Sequence, residues 1–275
     1  MIKTPTGHPL EPVFDWYQFS TKMEARDVLE LFEPMGQDDP FRDEKPKLKG
    51  YGWAKKTGGP GGSILIHYGG RNGDEHGPNV VGTGPASVRV AELVRGACVP
   101  HGVGRADVRL DFLADFDVCR LQFIDRCNDA GMVARDHGSC PESVKQCGRS
   151  VYGGSPKSFY TPTLYQKGLQ LGDGHPVDYL RLEHRFAPTK AHEKAQLSTM
   201  TPADMVGLRP VSRDLTEKIT ALAVAPYKLD RYPKEKGPWY WMLKAYQKAL
   251  REAHSDLGSW SAVGHQIGYD LENLD

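Results

Sequence analysis

Gly104–Phe116 reads GRADVRLDFLADF, and its alternation decides the fold class. Ala106, Val108, Leu110 and Phe112 fall on one side of an extended chain, Asp107, Arg109 and Asp111 on the other, because successive strand side chains point to opposite faces. Such a strand has one face on a core and the other open, as in antiparallel sheets. Asp178–Phe186, DYLRLEHRF, repeats the pattern, with Tyr179, Arg181, Glu183 and Arg185 against Leu180, Leu182 and His184. Between them lies Gly148–Gly172, GRSVYGGSPKSFYTPTLYQKGLQLG, in which SVYGGS and SFYTPTLYQKG form a hairpin turning at Gly153-Gly154.

Upstream, SILIHYGG (Ser63–Gly70) reads as a strand, and Asn79–Cys98 as a short strand, a glycine turn and a helix. The first sixty residues are rich in charge, Pro and Gly and end in a loop or hairpin tip at KKTGGPGGS. Leu121–Ala134 is predicted helical. From about Lys190 the pattern turns helical, with Thr201 as a cap candidate before PADMVGL, then VSRDLTEKITALAVA. Trp239, Met242, Leu243, Tyr246, Leu250 and Ala253 follow at helical spacing. The expected architecture is α+β: a curved, mainly antiparallel sheet with packed helices, followed by a mainly helical C-terminal part. The expected division is an N-terminal segment at 1–60 packed on the core, a catalytic core at 61–190 and a helical accessory or DNA-binding region at 191–275.

The 275 residues are 39% apolar and 25% charged, as in soluble globular proteins. Lys+Arg and Asp+Glu both total 35, so no global basic field announces nucleic acid. Locally, Tyr227–Arg251 carries seven Lys/Arg interleaved with six Tyr and Trp, a composition suited to phosphate contact with base stacking. The competing reading is a solvated helix with an aromatic core stripe. No stretch is long and apolar enough for a membrane span, and no secretory signal is expected from the N-terminus. The five cysteines contain no CxxC pair, so reduced thiols are expected. A zinc site from Cys127, His137, Cys140 and Cys147 has irregular spacing and is not expected.

Carboxylates converging on the polar face of a sheet could hold Mg²⁺ or Mn²⁺. Asp107 and Asp111 share one strand, and Glu183 alternates in the same sense on another. The alternative is a solvated face of Asp–Arg pairs with Arg105, Arg109, Arg181 and Arg185. Tyrosine is a weak nucleophile near neutral pH unless its phenolate is stabilised. Tyr165 and Lys167 sit two residues apart on one side of the predicted strand; Tyr152, Tyr160 and Tyr179 are rivals that spacing does not exclude.

Taken in order, these segments resemble the replication initiation factors of rolling-circle plasmids and filamentous phages, the Rep_trans group. The resemblance rests on Arg105-Ala-Asp107-Val-Arg-Leu-Asp111, on GRSVYGGSPKS (Gly148–Ser158), on Tyr165-Gln-Lys167-Gly168 and on Arg181-Leu-Glu183-His-Arg185, and covers about Ile64–Phe186. Two positions depart from the group's pattern. Thr163 stands where an arginine is usual, and Pro156 where a basic residue is common.

The resemblance implies an enzyme that nicks one strand at a replication origin. Tyr165 would attack a scissile phosphate, leaving a 5′-phosphotyrosine and a 3′-OH primer, and the same site would later rejoin strands. Asp107 and Glu183 would hold Mg²⁺ or Mn²⁺, with Asp111 a third ligand or a structural acid, and Lys167 would stabilise phenolate or the pentacovalent phosphate. Arg105, Arg181, Arg185, Lys157 and Ser158 are the expected DNA contacts of the core, Arg181 and Arg185 alternatively holding the carboxylates. Lys244 and Lys248 are those of the basic segment. The expected substrate is a supercoiled or hairpin-extruded origin in a bacterial cytoplasm, with a host helicase and a single-strand-binding protein as partners; monomer and homodimer are both open. A chain that keeps the fold only to bind and regulate origin DNA is the rival reading.

Overall fold

The computed structural model describes residues 3–59, 62–70, 77–137, 148–229 and 247–272. Its ten strands are β1 (Val13–Thr21), β2 (Arg42–Glu44), β3 (Tyr51–Gly59), β4 (Gly62–Gly70), β5 (Asn79–Thr83), β6 (His101–Leu113), β7 (Ala134–His137), β8 (Ser150–Gly153), β9 (Tyr160–Gln166) and β10 (Tyr179–Phe186). They form one open antiparallel sheet in the order β2-β3-β4-β5-β1-β6-β10-β9-β8-β7. The helices are α1 (Ala25–Phe32), α2 (Pro85–Gly96), α3 (Phe116–Asp129), α4 (Lys167–Leu171), α5 (Ala191–Leu197), α6 (Pro202–Gly207), α7 (Pro210–Thr220), α8 (Gln247–Leu257) and α9 (Trp260–Glu272). The architecture is α+β, as the sequence led us to expect. Two local meanders are joined through a central trio, β1, β6 and β10, the first and last strands in the chain flanking the longest.

One face of the sheet is apolar. Ala106, Val108, Leu110 and Phe112 of β6 and Leu180, Leu182 and Phe186 of β10 are completely buried. Leu164 of β9, Val151 of β8 and Phe14, Tyr17 and Phe19 of β1 join them. Each such side chain contributes roughly 1.5–3 kcal/mol by leaving water. Helix α2 covers β1, β4 and β5 with Val90, Ala91 and Val94. Helix α3 lays Phe116, Cys119, Phe123 and Cys127 beneath β8 and β9. That spacing fits a helical stripe, and the Asp115 carboxylate caps it by accepting from Val118 N at 2.9 Å. The helix therefore starts at Phe116, before the expected Leu121, and ends at Asp129 so that Ala134–His137 can form β7.

One polar side chain sits in this apolar layer. His184 is fully buried between the Tyr160 hydroxyl, 2.8 Å from Nδ1, and the Thr216 hydroxyl, 3.0 Å from Nε2. Burial lowers its pKa to about 3, so the ring is neutral and ties β9, β10 and α7 together.

The N-terminal residues hold a central strand. β1 pairs with β5 and β6, and its register shifts between Phe14 and Trp16. The first compact unit, Met1–Leu229, thus takes in β1 to β3 and also α5 to α7. Thr201 caps α6 as the sequence suggested, its hydroxyl accepting from Asp204 N. The second unit, Asp230–Asp275, contains α8 and α9, which pack on each other. Most of the basic-aromatic segment Tyr227–Arg251, including Lys244, lies outside the described residues. Among those residues no helix is long and apolar enough to cross a membrane.

Candidate active site

The open face of the sheet carries the polar side chains in three rows across the strands. Ser150, Tyr165, Arg181 and Asp111 are successive cross-strand partners from β8 to β6. The next row runs Tyr152, Thr163, Glu183 and Arg109, and the third Thr161, Arg185, Asp107 and Trp16. Neighbours within a row are roughly 5 Å apart and rows roughly 7 Å apart. Register therefore places Tyr165 one strand and one row from Glu183, which is diagonal to Asp107.

Arginines organise this face. Arg181 is only 3% exposed; its Nε and Nη2 donate to the two oxygens of Asp111 at 2.6 and 3.0 Å. Its Nη1 donates to Asp15 Oδ2 at 3.0 Å, and Arg109 lies 3.4 Å from both Asp15 and Asp111. Burial opposes the Arg181 charge, but the Asp111 hydrogen bonds and the surrounding anionic charge outweigh it and hold the pKa up. Asp107 is 2% exposed and accepts from Arg105, whose guanidinium stacks 4.4 Å over the Trp16 ring. Arg185 Nε stands 3.4 Å from Asp107 Oδ1 without the alignment of a hydrogen bond.

Asp15 is the residue that sequence reasoning missed. It sits in the β1 irregularity, where its carbonyl accepts from Gly84 N at 2.7 Å, and its carboxylate turns onto the polar face. The only signal was the broken alternation of Phe14, Tyr17 and Phe19, spaced by three and then two.

Glu183 is the least satisfied acid of the group. Its contacts are long: the Tyr165 hydroxyl points to Oε2 at 3.5 Å, and Arg185 Nη2 is 3.9 Å from Oε1. Burial first, then the charges of Asp107 and Asp15, raise its pKa from 4.5 to about 7. Tyr165 is also held protonated, by burial and by the charges of Glu183 and Asp15, with Arg181 pulling the other way.

Lys167 is not on the strand. β9 ends at Gln166, and Lys167 opens α4, with Gly168 next because a Cβ there would overlap the Pro176 carbonyl. Its ammonium nevertheless lies 5.9 Å from the Tyr165 ring centre and donates to Gln170 Oε1 at 2.8 Å. Burial lowers its pKa, with the nearby Arg181 charge adding to the effect.

The rival tyrosines have other surroundings. Tyr160 is in the core on His184. Tyr179 is 8% exposed, and Tyr152 is 44% exposed beside His137. Lys157 and Ser158 belong to the turn between β8 and β9, roughly 17 Å along β9 from Tyr165 by strand rise. They are not part of the cluster. Lys248 is in α8, but its side chain lies outside the described residues.

The acids form a pair and not a trio. Asp111 is four residues beyond Asp107, roughly 13 Å along β6, and both its oxygens are bonded to Arg181. Among the described residues no three His, Cys, Asp or Glu side chains gather to hold a metal by themselves. Asp107 and Glu183 still fit a hard divalent ion of the kind that takes one or two carboxylates and completes its shell with water and phosphate oxygens. The raised pKa of Glu183 reflects its burial first and the charges of Asp107 and Asp15 second, which Arg185 and Arg181 only partly offset. Arg105 and Arg185 would share Asp107 with such an ion. Cys127, weighed for zinc, is completely buried beneath β8, and its thiol is pushed up to about 12 by burial.

No protein-family model matches the chain, and no curated protein matches it. Among solved structures, it is similar to a rolling circle replication initiator protein from Geobacillus stearothermophilus. The two share 20% identity over 80% of this chain and 100% of that one, with a TM-score of 0.55. At that identity the likeness shows the fold.

Proposed function

We propose that the chain is a rolling-circle replication initiator of the Rep_trans kind that nicks and rejoins one DNA strand through Tyr165. The observation that carries this reading is the placement of one phenol 3.5 Å from Glu183, an acid that Arg185 meets only at 3.9 Å, with Asp107 diagonal to it on the same open sheet face. The shared fold with a replication initiator supports it.

In the proposed reaction Tyr165 Oη forms a bond to the scissile phosphorus as the bond from phosphorus to the 3′ oxygen breaks. The phenol proton passes to Glu183, the acceptor it already faces, and the departing 3′ oxygen takes up a proton from water to become the primer hydroxyl. The phosphotyrosine keeps a phosphodiester linkage, so attack by a 3′-OH reverses the step and restores the phenol. Lys167, close to the ring with a lowered pKa, offsets charge at the phenolic oxygen and the phosphate. Arg181 positions: it fixes Asp111 and Asp15 and through them the row that carries Tyr165. Asp107 and Glu183 would hold Mg²⁺ or Mn²⁺, which when bound neutralises phosphate charge and favours phenolate.

Origin DNA is the proposed partner, its affinity and salt dependence set by phosphate contacts. Arg105 and Arg185 keep 28% and 34% of their side-chain surface and can meet a phosphate, as can the exposed Lys157. Helicase and single-strand-binding protein are proposed as host partners acting on the nicked product.

The test is a supercoiled plasmid carrying the DNA that surrounds the gene, incubated with Mg²⁺ or Mn²⁺. Wild type should give open circles and a covalent adduct that maps to Tyr165, and Tyr165→Phe neither. Equal nicking by both proteins removes Tyr165 from the reaction. Binding by both without nicking favours a regulator.

A further inference from the structure

Beside the carboxylate pair, the same sheet face opens into a cleft of about 420 Å³ that the nicking step does not use. Its walls include Tyr152 and His137, Thr161 and Thr163, and at the rim Arg135 and Arg185. Tyr152 is 44% exposed, and its ring meets His137 edge-on at 5.2 Å between centres. Arg135 is held in place by donating to Gly154 O at 2.8 Å. Among the described residues no carboxylate lines the cleft, although Glu183 lies in the same row as Tyr152, two strands away. Two strand spacings are roughly 10 Å. The described lining thus combines an exposed aromatic platform, hydroxyls and two guanidiniums.

We infer that this cleft seats an unpaired nucleobase of the strand being cut, adjacent to the scissile phosphate. This inference rests on the nicking reading. The volume falls within the usual span for small-ligand pockets, roughly 300–1,000 Å³. Tyr152 supplies the stacking face that single-strand binders use whatever the base. Thr161 and Thr163 offer hydroxyls to its polar edge, and Arg135 and Arg185 meet the flanking backbone. Arg185 also approaches Asp107 at 3.4 Å, so one side chain would join base seating to the carboxylate pair. Thr163 lines the cleft with a short side chain.

The experiment uses the full chain and single-stranded oligonucleotides spanning the nick site, read by fluorescence anisotropy and by nicking kinetics. Tyr152→Ala should weaken oligonucleotide binding and raise KM about tenfold, the equivalent of about 1.4 kcal/mol, with kcat nearly unchanged. Tyr152→Phe, which keeps the ring, should stay within about twofold of wild type. An abasic site at one position flanking the scissile phosphate should cost wild type as much as the alanine change does, and add little in Tyr152→Ala. A flat abasic scan, or an abasic penalty that persists in full in Tyr152→Ala, overturns the inference, as does wild-type binding by Tyr152→Ala. Tyr165→Phe separates the two readings, since it should lose nicking and keep Tyr152-dependent binding. If wild type binds through Tyr152 but never nicks, the nicking reading falls and the base pocket stands.

Discussion

Replacing Arg181 by methionine tests whether this side chain is scaffold or DNA contact. The change keeps an unbranched chain about as far as the position of Nε and removes the guanidinium. In the wild type that group makes hydrogen bonds of 2.6 and 3.0 Å to Asp111 and 3.0 Å to Asp15. Breaking a buried pair by removing one partner costs about 3–5 kcal/mol. Asp15 and Asp111 keep 21% and 23% of their side-chain surface, so water can partly rehydrate them and the loss belongs at the lower end, about 3 kcal/mol. For a unit of this size, that lowers Tm by roughly 6–12 °C. Calorimetry or circular dichroism melts with and without 0.5 M salt would read it, and the salt effect should be small because the pair is buried. Adding Asp111→Asn to Arg181→Met should recover part of the loss, giving a coupling of about 1–2 kcal/mol in the double-mutant cycle. A melt within about 2 °C of wild type, or additive single effects, would refute the scaffold role and leave Arg181 for phosphate.

Three further outcomes are expected. Tyr160→Phe should cost about 1–3 kcal/mol, because it leaves His184 Nδ1 buried without its partner, yet keep nicking activity; Tyr165→Phe should do the reverse, and parallel melts and plasmid assays would separate them. The folded pKa of Glu183 stands above its ordinary value, so its penalty is absent below about pH 4.5, grows as pH rises and is complete above about 7. The upper limit is roughly 3 kcal/mol; Glu183→Gln should flatten the fall of stability between pH 5 and 8. It should also abolish the extra Tm that Mn²⁺ gives wild type at pH 8. Ala221 ends α7 with φ of +52°, so Ala221→Gly should raise stability by about 0.5–1 kcal/mol in urea titrations; a loss there would mean that the αL residue is not strained.

How much of this was legible in the chain depended on whether a pattern stayed local. β6 and β10 declared themselves because each has one face on the core and no interruption, so period-two alternation runs their length. The registers that pair Arg181 with Asp111 and Tyr165 follow from three such strands lying side by side, but the strand order that makes them neighbours is not written in any one of them. β1 was hidden for a definite reason. Its register shift places Asp15 and Trp16 together and spaces Phe14 from Tyr17 by three, so a central strand reads as a charged loop-rich segment. With β1 unseen, Asp15 was unseen too. Tyr-Gln-Lys continues the alternation and so predicts Lys167 on the strand; the chain turns helical there, where Gly168 admits the Pro176 carbonyl, a contact eight residues away. Asp111 shares the alternation of Asp107, and only the partner strand shows that its carboxylate belongs to an arginine.

Burial first, and then the charge arrangement, hold the candidate nucleophile in its protonated form. The cations nearest Tyr165 are already engaged, Arg181 with Asp111 and Asp15, and Lys167 with Gln170. The acid it faces is the one for which the arginines make only long contacts, and Glu183 and Asp15 both disfavour phenolate. A DNA phosphate arriving on this face adds negative charge beside an acid that is already raised to about 7. On the proposed reaction, binding the substrate alone would therefore push the phenol further from ionisation. A divalent ion entering with the DNA would offset that charge, and Glu183, which Arg185 meets only at 3.9 Å, would hold it together with Asp107. The same logic makes the order of events testable. Oligonucleotide binding should tighten when Mn²⁺ is present in wild type and lose that linkage in Glu183→Gln, because two ligands that relieve each other's repulsion must favour each other's binding to the same extent. Metal-independent affinity in wild type would place the phosphate away from the acids, and with it the attack by Tyr165.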